Sequence, residues 1–244
     1  MFYTDKQGRL RYRGSSEQKQ STAQVKTVET TLMRKKAGFF FVDKDGRTIF
    51  AGGPSSGAGG TSAGGATKQQ QKLRDIEGVI YDRDKEECFV VDKNGNISFF
   101  KKGDDLHITL TEDEIMGMKD QIFTHNHPKG DGVGGTSFSA SDVHMAAMFD
   151  LAGIRAVGIS EIDGKRYVYE MLRPPNGWPK QLSSSGQFSG IRLIDGYSKQ
   201  IAIQTSKEIK LGHLSVDVAN FNHWHNVMTV LSNQYEIPYS MEEF

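Results

Sequence analysis

The sequence predicts an α/β (α+β) fold: a mixed β-sheet packed with helices, preceded by a small N-terminal β segment on a flexible linker. Three observations carry this expectation. Between residues 72 and 172, β-type runs alternate with stretches bearing helix-start signals. A Gly/Ser-rich tract separates that block from an earlier hairpin, and an apolar stripe at helical spacing lies near the chain's end.

Residues 1–50 form the N-terminal segment, with one clear hairpin in "FFFVDKDGRTIF" (39–50). Apolar runs flank an Asp-Gly turn, which supplies the positive φ that a tight hairpin needs. "FVVDKNGNISFF" (89–100) is a near-copy. The matched text is short, so the same local solution is used twice rather than as a repeat architecture. "DKDG" lacks the third oxygen-bearing position of an EF-hand, which leaves the turn. Residues 51–71, "AGGPSSGAGGTSAGGATKQQQ", hold too little apolar surface to offset their ordering entropy and read as the linker.

The block 72–172 has a usual domain size. Strands are expected at "EGVIYD", "ECFVVD", "GNISFF" and "LHITL". "TEDE" is a capping box with Thr111 as N-cap and Glu114 at N3, opening a short helix. "QIFTHNHP" reads as a strand running into a loop. "SASDVHMAAMFDLAG" reads as a helix closed by Gly153, and "IRAVGIS" and "RYVYEML" as strands joined by the turn "EIDGKR". Residues 173–190, rich in Pro, Gly and Ser, form an irregular connection. The extension 191–244 carries an amphipathic helix from Asp217 to about Tyr235. Its stripe of Val218, Phe221, Trp224, His225, Met228 and Leu231 docks on the preceding domain.

Composition narrows the function. Thirty basic and thirty acidic side chains cancel, which disfavours a general polyanion binder. The single cysteine, Cys88, excludes an internal disulfide and an all-thiolate zinc site, so any metal must lean on His and carboxylates. The first residues, "MFYTDKQGRLRYRG", lack the apolar core of a secretory signal, and no window approaches the ~18 apolar residues of a membrane span. The expectation is a soluble, cytoplasmic protein with no membrane partner.

The stretch "THNHPKGDGVGGTSFSASDV" (124–143) carries the chemistry. His125 and His127 sit at i and i+2 of an extended chain, on one face, as two imidazoles for one metal must. Pro128 stiffens the turn beyond them. Asp142, early in the next helix, is the third candidate ligand. Two His and one carboxylate leave one position of a tetrahedral Zn2+ open, the arrangement of a hydrolytic site, where a water becomes a usable nucleophile near neutral pH. Alone, Ser139 and Asp142 read as a Ser-x-x-Asp helix start that needs no metal. Taken with the paired histidines, the metal reading is favoured.

"HNHP" followed by "SASD" resembles the JAB/MPN (JAMM) metallohydrolases, and within them the RadC-like branch and the HNHP domains of phage head-morphogenesis proteins. The resemblance spans residues 76–172, with an echo in the closing "NHWHNV" and "IPYS". It implies a JAB/MPN-like core in which His125, His127 and Asp142 bind Zn2+. It implies that Ser139 donates to the oxyanion formed when a carbonyl is attacked. It also implies an upstream glutamate as general base and then acid. Glu86 is preferred, lying six residues before Asp92 in a Glu-x5-Asp-x-x-Gly pattern. Glu87, on the opposite side of a regular strand, and Glu77 are the alternatives. The spacer "KGDGVGGTSF" is longer than usual in the peptidases, and its glycines let it loop out or form a lid.

The other histidines carry weaker signals: His144 points away from the metal, and His223 and His225 read as packing around Trp224. The expected function is a JAMM-type zinc metallopeptidase acting on a peptide or protein, cutting a peptide or isopeptide bond, in a phage-associated setting. The alternatives are a RadC-like metal-dependent nuclease, disfavoured by the neutral charge, and a non-catalytic phage assembly or binding module.

Overall fold

The computed structural model describes residues 66–103, 108–128, 136–184 and 190–244, together with the backbone of four short strands before them. Those four are β1 (Phe2–Thr4), β2 (Leu10–Tyr12), β3 (Phe39–Val42) and β4 (Thr48–Ala51). β3 and β4 pair antiparallel from Phe39↔Ala51 to Val42↔Thr48, as the Asp-Gly hairpin requires; the turn itself lies outside the described residues. So do residues 52–65 of the expected linker and the glycines of the motif spacer.

The main sheet has six strands, in the order β10-β9-β8-β7-β5-β6. They are β5 (Glu87–Val91), β6 (Ile97–Lys102), β7 (Ile122–Asn126), β8 (Gly153–Ile159), β9 (Arg166–Leu172) and β10 (Tyr239–Glu243). β7 and β8 pair parallel; β5–β6, β5–β7, β8–β9 and β9–β10 pair antiparallel. The sheet is mixed, as the sequence predicts. A parallel pair needs a crossover, and α3 (Ala140–Met148) supplies it between β7 and β8. In such units ligands gather at the carboxyl end of the strand, beside the start of the following helix.

Helices cover both faces. α1 (Lys68–Ile80) lies on one, packing Leu73, Ile76 and Ile80 against Val91, Ile122, Val157 and Val168. On the other, α3, α5 (Gly190–Lys210) and α6 (Val216–Tyr235) enclose Cys88, Val90, Phe123, Ile154, Ala156, Tyr169 and Met171. Two short helices, α2 (Glu112–Met116) and α4 (Lys180–Ser183), fill the connections.

Several expectations change. "EGVIYD" is the last turn of α1 and no strand: Leu73, Ile76, Glu77 and Ile80 are buried at spacings of three and four, while Val79 stays 55% exposed. The helix starts inside the expected linker, because Thr67 and Gln70 form a reciprocal capping box. Within "LHITL", residues 108–110 form no strand, and Leu106 and His107 lie outside the described residues. α3 closes at Phe149, with Asp150 in the left-handed region (φ 52°), rather than at Gly153. Gly153 opens β8, where an added Cβ would lie 2.7 Å from Leu172 and 3.0 Å from Ile122. The capping box of Thr111 and Glu114 forms as predicted, as does the turn between β8 and β9. Among the described residues no helix is long and apolar enough to cross a membrane.

Candidate metal centre

β7 is buried along its whole length, and its alternation sorts its side chains between two environments. Phe123 and His125 face the larger core with α3; Ile122 faces α1. The His127 N–H still bonds Val157 O at 2.9 Å, and Pro128, with no N–H, ends the ladder. The chain returns through buried Thr136, Ser137 and Phe138 to the N-cap of α3.

His125, His127 and Asp142 converge there: one ligand atom from each lies within 4.8 Å of the others. The two Nε2 atoms are 3.1 Å apart, and His125 Nε2 is 3.9 Å from Asp142 Oδ1. A tetrahedral ion with bonds of about 2.0–2.1 Å sets its ligand atoms about 3.3–3.4 Å apart. The observed separations straddle that value, so the three groups fit one ion with small side-chain adjustments.

Each ligand is also held from behind. His127 Nδ1 donates to Thr136 O at 2.8 Å, which leaves Nε2 with its lone pair toward the cluster. Asp142 divides its oxygens: Oδ2 accepts from Ser139 N–H at 2.7 Å and from Ser139 Oγ at 2.8 Å, and Oδ1 faces His125. The helix cap and the ligand set are therefore one arrangement, since the cap fixes one carboxylate oxygen and presents the other. His125 is 1% exposed, and its Nδ1 makes no hydrogen bond of ordinary geometry, although the Arg155 backbone lies close enough to favour a proton there. Burial pushes its pKa down to about 4, with Asp142 opposing and His127 reinforcing. A neutral imidazole is the form that ligates a metal. His127 and Asp142 are partly exposed, so one side of the cluster reaches solvent.

The three candidate glutamates separate by the side of the sheet they occupy. Cys88 pairs with His125, and Cys88 and Val90 face the larger core. Glu86, two residues before Cys88, continues the ladder through Gly103 N–H to its carbonyl at 2.8 Å and falls on the same side. Its charge helps raise the Cys88 thiol, behind the larger effect of burial. Glu87 points to the α1 side, lining a groove with Ile76, Ile80 and Arg83, and pairs with Lys102 at 2.8 Å. Glu77 is fully buried on α1, receiving Arg155 at 2.6 and 3.0 Å and the Thr124 hydroxyl at 2.9 Å. Both alternatives lie across the sheet from the histidines.

Sequence reading missed the middle residue of "HNH". Asn126 is 0% exposed and faces the α1 side. Its Oδ1 accepts from Glu87 N–H at 2.7 Å, and its Nδ2 donates to Lys85 O at 3.1 Å and to Arg83 O at 3.4 Å. It pins the segment that carries Glu86. Strand alternation was a usable signal, because an amide turned away from the histidines into a buried layer requires partners there. The hold of Thr136 on His127 is a backbone contact with no signature in side-chain identity.

The other described histidines stay outside the cluster. His144 bonds Leu182 O at 2.7 Å and points away, as its helical offset predicts. His223 bonds Ser198 Oγ at 2.8 Å between α5 and α6. No family model, no curated protein and no solved structure matches the chain.

Proposed function

We propose that this protein is a zinc-dependent hydrolase of JAMM type that cleaves a peptide or isopeptide bond. The convergence of His125, His127 and Asp142, each braced through its other end or by burial, is the observation that supports this reading. Two imidazoles and a carboxylate suit Zn2+ with an open position, and the ion, when bound, supplies Lewis-acid polarisation and acidifies water.

The chain's own groups divide the remaining work. Glu86, on the histidine side but outside the ligand cluster, accepts the proton of the attacking water and returns it to the leaving amine. Ser139 spends its one hydroxyl proton on Asp142 Oδ2, so its first role is to aim the carboxylate. Donation to an oxyanion, the role the family resemblance implies, requires that hydroxyl to turn away from Asp142. The partly exposed side formed by His127 and Asp142 is where a peptide would approach.

The balanced charge of the chain favours a peptide over a nucleic-acid substrate. The test is a panel of peptide, isopeptide-linked and nucleic-acid substrates, run on the zinc-loaded chain and on Glu86→Gln. Amide cleavage that falls about 10²–10⁴-fold in Glu86→Gln, with zinc retained, is the expected result. Cleavage of nucleic acid alone would reassign the substrate class. Zinc binding with no turnover of any substrate would reassign the chain to a binding or phage-assembly role.

A further inference from the structure

The C-terminal part of the chain reaches the metal loop through one side chain. Tyr239 opens β10, pairing with Met171 of β9 at the far edge of the sheet from β6. Its hydroxyl lies 2.8 Å from Ser137 Oγ and 2.9 Å from His225 Nδ1 on α6. Its ring meets Phe138 edge-on at 6.3 Å and lies 5.6 Å from the His225 ring. Ser137 is 1% and Phe138 0% exposed, while Tyr239 and His225 are half-buried, so these contacts run from the core to its edge.

The location of Ser137 and Phe138 gives the contacts their consequence. They are the middle of a four-residue segment whose ends set the ligands: Thr136 holds His127 Nδ1 through its carbonyl, and Ser139 holds Asp142 Oδ2. A shift of this segment would turn the His127 ring and the Asp142 carboxylate together. Side chains packed on residues 136–139 hold the segment in place, Tyr239 among them.

Tyr239 suits that task. Burial pushes its phenol pKa well above the ordinary value, and burial takes His225 down to about 4, so both are neutral near pH 7. The hydroxyl then donates once and accepts once, in either direction along Ser137–Tyr239–His225. A chain of neutral, partly buried hydrogen bonds of this kind is costly to leave half-made.

We propose that Tyr239 is a positioning residue for the metal centre: by clamping Ser137 and Phe138 it fixes the segment that orients His127 and Asp142. Residues 191–244 are on this account part of the site's framework and no detachable extension. The inference rests on the metal reading for its functional meaning, while the clamp itself is a property of the metal-free chain.

The test uses the full chain with Tyr239→Phe, Ser137→Ala and the double variant. Zinc affinity is read by competition with a chromophoric chelator, and amide hydrogen exchange is read on metal-free protein. Each single variant is expected to weaken zinc about 10–100-fold, the range for groups that support metal ligands. The double variant should lose little more than Tyr239→Phe alone, because that variant already breaks the bond that Ser137→Ala removes, along with the one to His225. Exchange should quicken at residues 136–143 and stay unchanged in β5 and β6. A folded Tyr239→Phe with wild-type zinc affinity and unchanged exchange at 136–143 would overturn the proposal. Should the wild type bind no zinc, the metal reading fails. Exchange alone then decides the clamp, which quickening supports and no change refutes. Should Tyr239→Phe fail to fold, Ser137→Ala is judged by the same two readings.

Discussion

Ser139 donates its hydroxyl proton to Asp142 Oδ2 at 2.8 Å and accepts the Asp142 N–H at 3.3 Å, so one side chain serves both the aim of a candidate metal ligand and the start of α3. The opposite oxygen of the same carboxylate faces His125 Nε2 at 3.9 Å. A capping box and a ligand set need not compete for an aspartate when each uses a different oxygen.

Ser139→Ala should therefore have two separable effects. Loss of the cap costs about 1 kcal/mol of stability, read by urea denaturation of the metal-free chain. Loss of the orienting bond weakens zinc about tenfold or more, read by chelator competition. A stability loss without an affinity loss would reduce Ser139 to a helix cap.

The three glutamates should respond differently when each, or its ionic partner, is changed. Glu86→Gln keeps fold and zinc and loses amide hydrolysis. Glu87→Gln, whose ion pair with Lys102 is half open to solvent, costs no more than about 1 kcal/mol and leaves turnover intact. Arg155→Ala, which strands the buried Glu77 carboxylate, costs about 3–5 kcal/mol. Denaturation curves beside turnover rates check all three. A Glu87→Gln variant that lost turnover with its zinc in place would move the base to the other side of the strand.

Asn126→Ala removes the acceptor of Glu87 N–H and the donor to Lys85 O inside a buried layer. Unsatisfied buried groups of this kind cost about 1–3 kcal/mol each. The segment carrying Glu86 is released, so turnover falls while zinc stoichiometry holds. Unchanged turnover in the folded variant would show that Glu86 needs no such anchor.

Acid should destabilise the chain between about pH 6.5 and pH 4. His223 and His225 have pKa values pushed down to about 4 by burial, against an ordinary value of 6.5. Over that window the unfolded chain binds more protons than the folded one, so stability rises with pH and is lost as pH falls. Denaturation midpoints of the metal-free chain across that range, compared with His223→Gln, check the sign. A flat profile would contradict the burial of these rings.

Much of the site was legible in the sequence because it follows chain periodicity. The i, i+2 spacing of His125 and His127 on a strand and the Ser-x-x-Asp start of α3 are local, and both formed as expected. Proline 128 marked where the ladder ends. The errors arose where tertiary packing outweighed local pattern. The run Val79-Ile80-Tyr81 suggested a strand, but the burial of Leu73, Ile76 and Ile80 against the sheet made it helix. The helix α5 was not foreseen, because Gly196 and the preceding Ser/Gly-rich text obscured Ile191, Ile194 and Ile201 at helical spacing. β10 was also missed, since its residues gain their conformation only by pairing with β9. The contact of Tyr239 with Ser137 spans about a hundred residues and no local pattern encodes it.

The central claim is that His125, His127 and Asp142 share one Zn2+ with a coordination position left for solvent. X-ray absorption at the zinc edge of the metal-loaded chain tests it most directly, with His127→Ala alongside. The account predicts one zinc per chain, two imidazole nitrogens and oxygen ligands near ~2.0–2.2 Å, no sulfur, and loss of the ion in His127→Ala. A sulfur ligand from Cys88, a closed set of four protein ligands, or zinc retained unchanged without His127 would contradict it.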